Sequence, residues 1–166
     1  TVFDLSVNTY RGTLTNGPKF TNDKNGGIIF DGVDDRIDFS SNLSNIIYNN
    51  FSFEFVAKPN ATITTSAEST SGTAGASGKR YIIEPTNEGS NGGFGIALGT
   101  NAIECIEHGG SYLPVLLSHS ANLSDINHYC VVVNDKKSRL YINGVLIKES
   151  PFLTSLSSII NSAFIL

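Results

Sequence analysis

The chain has 166 residues, 11 Lys and Arg against 15 Asp and Glu, and a formal charge of −4. That length suits one domain able to bury a core without metal or disulfide staples. The acidic balance and scattered cations argue against a nucleic-acid surface, and no run of 18 apolar residues is present to cross a membrane.

Taken in chain order, short strands dominate. GIIF (27–30) opens a run that continues as FDGVDDRIDF (30–39), in which Ile37 and Phe39 alternate with Arg36 and Asp38. That period of two marks a half-buried strand. Leu43, Ile46 and Ile47, framed by Asn and Ser, are the one place where a helical turn is entertained. FSFEFVAKP (51–59) alternates Phe51, Phe53 and Phe55 with Ser52 and Glu54, and predicts a second half-buried strand.

Residues 60–80 hold no aromatic side chain and many Ser, Thr, Gly and Ala. Neither flank is complete enough to fold alone, so this is read as a long surface loop inside one domain spanning 1–166, not a linker. RYIIEP (80–85), FGIALG (94–99), AIECIEHG (102–109) and LPVLLSHS (113–120) follow as strands. HYCVVVND (128–135) is nearly continuous in apolar residues and predicts a strand covered on both faces or close to it. RLYINGVLIKE (139–149) places Asn143-Gly144 between apolar arms, the signal of a two-residue β-hairpin turn. The last twelve residues, SLSSIINSAFIL, read as either turn or strand. Many short strands and almost no helical period predict an all-β sandwich or barrel.

Cys105 and Cys130 each fall inside an apolar strand, so they read as small buried residues before they read as a disulfide; no metal-binding spacing accompanies them. Four sequons begin at Asn42, Asn50, Asn60 and Asn122, as expected by chance in so Asn- and Ser-rich a chain.

FDGVDDRIDF carries four aspartates and admits three readings. It does not match an EF-hand loop, whose Gly sits at position 6 after alternating oxygen ligands. Two catalytic carboxylates would have to face one cavity, which neighbouring strand residues do not. A turn is favoured: Asp-Gly bends the chain, Asp34 and Asp35 accept backbone amides, and Ile29 or Phe30 with Ile37 and Phe39 anchor the two arms of a hairpin.

The stretches DLSVNTYRGTLTNGPKF and GGIIFDGVDDRIDFS resemble the opening of laminin G-like domains of the concanavalin A-like lectin/glucanase superfamily. The first is usually D-x-S-G-N-G-N-x-G-T-L-T-N-G-P there; Asp4, Ser6, Asn8 and residues 12–18 match, while Val7, Thr9 and Tyr10 depart. FVAKPN resembles the family's W-V-K-P segment with Phe55 and Ala57 substituted, and AESTSGTAGASGKRY (67–81), GTNAIECIEHG, YLPVLL and LYINGVLI resemble, in order, segments of a bacterial and phage subgroup of that family. The resemblance implies a two-sheet antiparallel jelly-roll sandwich. Family members also have a strand before Asp4 and another beyond residue 166. This chain is therefore expected to lack one or two terminal strands, supplied by a longer polypeptide or by a partner chain.

Some members of that family bind calcium at the rim; the resemblance points to Asp4 and Asn8 as the matching positions, with Asp34 and Asp35 the nearest acidic candidates, set against a reading in which Asp4 and Asn8 only shape a turn. Glu107, His108 and Tyr112, grouped around a Gly-Gly turn, are the candidate ligand-binding residues, set against a plain structural role for all three. The glucanase cluster E-x-D-x-x-E is absent, and Glu104 and Glu107 fall on opposite faces of an extended strand. The reading is a non-catalytic lectin-like adhesion module that binds a glycan or cell-surface protein, extracellularly or on a virion. The alternative is a phage structural or decoration protein held by other virion proteins. No Trp is present to stack on a sugar ring, so any such contact falls to Tyr or Phe.

Overall fold

A computed structural model describes residues 1–3, 11–22, 26–39, 49–87, 89–153 and 159–160. Its fourteen strands are β1 (Val2–Phe3), β2 (Arg11–Thr15), β3 (Lys19–Thr21), β4 (Gly27–Ile29), β5 (Arg36–Phe39), β6 (Phe51–Ala57), β7 (Tyr81–Ile83), β8 (Gly92–Gly99), β9 (Ala102–His108), β10 (Val115–Ser120), β11 (Asn127–Asn134), β12 (Lys137–Ile142), β13 (Val145–Glu149) and β14 (Ile159–Ile160). No helix occurs among the described residues.

Two sheets make the sandwich. One runs β10-β9-β8, with β7 and β14 both on the far edge of β8; the other runs β13-β12-β11-β6. Smaller sheets, β1-β2-β5 and β3-β4, complete the described strands. All pairings are antiparallel except β14 on β8, which is parallel and departs from the antiparallel expectation.

The core lies between the two large sheets. Phe94, Ile96 and Leu98 of β8 and Ile103 and Cys105 of β9 meet Phe53 of β6, Val131 and Val133 of β11 and Leu140 of β12. Phe94 bridges the sheets, its ring centroid 5.5 Å from Phe51 and 6.2 Å from Phe53. Each such side chain contributes about 1.5–3 kcal/mol over an exposed one.

On its other face β8 presents Gly93, Gly95, Ala97 and Gly99. This alternation of large and small lets backbone pass directly over the strand. A Cβ at Gly95 would meet Pro85 Cδ at 2.4 Å, and one at Gly93 would meet the Thr86 carbonyl at 1.8 Å.

Residues 61–80 lie over this same outer face and are tied to it. Ser69 N donates to Val115 O, Gly75 N to Leu113 O, Leu113 N to Gly72 O, and Thr64 N closes on Gly78 O at 2.7 Å. Ile63, Ala97, Ala102, Ile106 and Val115 form a second apolar cluster beneath. The segment predicted as a loop is therefore strandless but packed, and β8 and β9 are buried on both faces because of it.

Three expectations are corrected. FDGVDDRIDF is not a hairpin, because β4 pairs with β3 and β5 with β2; the turn connects two different sheets. Ile37 is buried and Phe39 half-buried on the second arm, whereas on the first Ile29 is 54% exposed and Phe30 half-buried, so the first arm is the more weakly anchored. HYCVVVND is covered fully on one face only: Tyr129, Val131 and Val133 point into the core while Cys130 and Val132 are half-buried on the outside. The proposed helical turn falls mostly on 40–48, outside the described residues, as do 154–158 and 161–166 of the tail. Asn143 and Gly144 both have positive φ, 51° and 79°, as a mirror-image hairpin turn requires. A second such turn, at Asp135-Lys136 (φ 48° and 66°), joins β11 to β12.

Candidate functional site

The sequence candidates fall at two places. Glu107 ends the inner face of β9, where its Oε1 accepts from Tyr112 OH at 2.8 Å; the carboxylate is fully buried. His108 points to the outer face, its Nδ1 2.9 Å from the Pro85 carbonyl. Gly109 and Tyr112 exchange backbone hydrogen bonds across the turn between them. Asn87, which no motif marked, clamps this turn: its Nδ2 donates to Gly110 O at 2.8 Å and its Oδ1 accepts from Gly110 N at 3.0 Å. The three candidates are thus brought to one corner, and each has a bond within the protein.

The acidic turn gathers Asp31, Asp34 and Asp35, each offering a carboxylate oxygen within 4.8 Å of the others. Asp4 and Asn8 lie outside the described residues. Asp31 is the residue sequence reasoning passed over, having been read only as half of an Asp-Gly bend. Its Oδ1 accepts from Val33 N at 2.8 Å and Asp34 N at 3.4 Å, and these amides hold its carboxyl below the ordinary range. Asp35 Oδ2 accepts from Asp31 N at 2.8 Å, whereas among the described residues no backbone amide donates to the Asp34 carboxylate, contrary to expectation. The fourth aspartate, Asp38, belongs to the ladder, bonded to Thr15 Oγ1 at 2.5 Å and Arg36 Nε at 2.9 Å.

The turn borders an open cleft of about 1380 Å³ between it and the segments 55–64 and 78–84. Phe30, Phe55 and Tyr81 supply half-buried aromatic surface there. Asn60, Thr62, Lys58, Arg80 and Glu84 supply polar groups. Arg80 reaches across to donate from Nη1 to Gly32 O at 2.8 Å.

The two carboxylates of β9 form no pair. Glu104 and Glu107 project to opposite faces of β9, and Glu104 is locked in a buried network. Its Oε2 takes Lys79 Nζ at 2.6 Å; its Oε1 takes Ser66 N at 2.8 Å and Ser118 Oγ at 3.0 Å. Cys130 stands beside Glu54 on the outer face of β11, across from the Glu54–His128 pair at 2.7 Å. Burial and then the Glu54 charge push its thiol up, away from the thiolate a nucleophile needs. Cys105 and Cys130 are both free thiols.

No protein-family model matches this sequence, and no curated protein matches it either. Among solved structures, the carbohydrate-binding module CBM66 from Bacillus subtilis is similar over 93% of this chain and 91% of its own, at 11% identity and a TM-score of 0.47. The laminin G-like resemblance accordingly rests on its segments alone.

Proposed function

We propose that this chain is a non-catalytic module that binds glycan in the cleft beside the acidic turn. One observation carries the reading: the cleft sets aromatic surface from Phe30, Phe55 and Tyr81 among side-chain amide, hydroxyl and charged groups. A sugar ring asks for that combination, an apolar face for its C–H surface and hydrogen-bonding groups for its hydroxyls. At about 1380 Å³ the space exceeds the roughly 300–1,000 Å³ of a small-molecule pocket and has room for more than one ring.

Calcium belongs to this proposal. Asp31, Asp34 and Asp35 are the hard oxygen donors that such an ion takes, and each keeps an oxygen not used by the turn's own hydrogen bonds. An ion held there would stiffen the turn that forms one wall of the cleft.

The test is a glycan array run with calcium and again with chelator, followed by titration of a bound sugar against Phe30→Ala and Asn60→Ala. Losses of about tenfold or more in both variants are expected. Absence of binding to any sugar in both conditions, or binding indifferent to both variants, would sink the assignment.

A further inference from the structure

We infer that the cleft selects glycans carrying a carboxylate and that Arg80 is the residue that reads it; this rests on the glycan-binding assignment above. The guanidinium is seated, not free. Nη1 donates to Gly32 O at 2.8 Å, and a Cβ at Gly32 would meet Nη1 at 2.6 Å. The bare α-carbon of Gly32, at φ +75°, is what lets the planar group rest on the turn. One of the five guanidinium donors is spent on that contact, leaving a fork whose position is fixed before any ligand arrives.

What the fork lacks is an anion. Arg36, Lys79, Lys137, Arg139 and Lys148 each have a carboxylate partner within 4.0 Å. Among the described residues Arg80 has none, and Lys58, which lines the same cleft, makes no ion pair either. Arg80 and Lys58 thus stand as two cations on one cleft, neither with a carboxylate partner among the described residues. A carboxylate on the ligand would take the guanidinium through two parallel N–H···O bonds. Asp34, Asp35 and Glu84 line the cleft as well, and they set the opposite limit. A densely sulfated polymer is repelled, whereas a single carboxylate flanked by neutral rings is accepted.

The experiment is titration of the whole chain with uronate- or sialate-containing oligosaccharides and with the same sugars carboxyl-reduced, at low and at physiological salt. The acidic forms are expected to bind at least tenfold tighter, with the preference shrinking as salt rises. Arg80→Gln should bring the acidic sugars down to the affinity of the reduced ones, and Arg80→Lys should recover part of the difference because it keeps the charge and loses the fork. Should Arg80→Gln fail to melt like the parent, Lys58→Gln, at an exposed position, carries the test through a smaller drop confined to the acidic sugars. Equal binding of acidic and reduced sugars by the parent, or an undiminished preference in the variants, overturns this inference and leaves the glycan module standing. Failure to bind either series overturns this inference, and the glycan module falls with it only if no other sugar on the array binds.

Discussion

At the scale of single residues, the most consequential contact is one between charges that water does not reach. Lys79 and Glu104 are 1% and 0% exposed as side chains and 2.6 Å apart. Removing one partner leaves the other charge buried and uncompensated, so Lys79→Met is expected to destabilise by about 3–5 kcal/mol in urea unfolding. Replacing both with Met and Leu should cost much less, since no stranded charge remains. The two thiols should separate by reactivity. Cys105 is wholly buried and its thiol is pushed far up by burial; Cys130 is half-buried with a smaller rise. A colourimetric thiol titration near pH 8 is expected to find at most Cys130 in the native protein and both thiols in denaturant. Two rapid native thiols would mean the β9 face opens readily. Asp38 gives a pH dependence of known sign. The Thr15 hydroxyl, then Arg36, hold its pKa below 3.8, so its contribution is present above that value and is lost as pH falls through the lowered folded pKa. Asp38→Asn should therefore flatten the acid limb of the stability curve below about pH 4 and leave the neutral region nearly unchanged; an unaltered acid limb would count against it.

Elements show where sequence reasoning succeeds and where it stops. The Asn143-Gly144 hairpin was legible because a two-residue turn declares itself through φ, a property of those residues alone. The alternation in β6 was legible for the same local reason. The partners of the acidic turn were not, since the pairing of β4 with β3 and β5 with β2 is decided by residues far along the chain. Nor was the contact between Asn87 and Gly110, 23 residues apart, or the clustering of Asp31 with Asp34 and Asp35, which depends on how the turn curls. The glycines of FGIALG were visible as letters, but the segment they admit was not. Gly95→Ala tests that account. Its Cβ would meet Pro85 Cδ at 2.4 Å and the Ile83 carbonyl at 2.8 Å, and neither is the loose end of a flexible chain. A loss of about 1–3 kcal/mol is expected by chemical denaturation, in the range of overpacked cores. A neutral result would show that the 83–86 segment can lift off β8.

For the molecule as a whole, the two outer faces of the sandwich differ, and the difference comes from residues 61–80. The β10-β9-β8 sheet would otherwise present Ala97, Ala102, Ile106 and Val115 to water, and Glu104 would lose the Lys79 that neutralises it. A composition that reads as a flexible linker is held in place by what it covers: Ser66 N on Glu104, Glu68 Oε1 on Ser118 N and Lys148, Gly75 O under Tyr81 OH. The ends of the segment already meet, through Thr64 N and Gly78 O at 2.7 Å. Excising 65–77 in favour of a two-residue turn therefore keeps the connection and removes the cover. Loop-closure entropy changes little over such a length, so what the deletion reads is the packing. A loss of about 3 kcal/mol, a fall in Tm of roughly 10 °C for a chain of this size, is expected, with binding of a hydrophobic dye and self-association through the bared face. An unchanged Tm with no dye binding would mean that β8 and β9 are stable with one face wet.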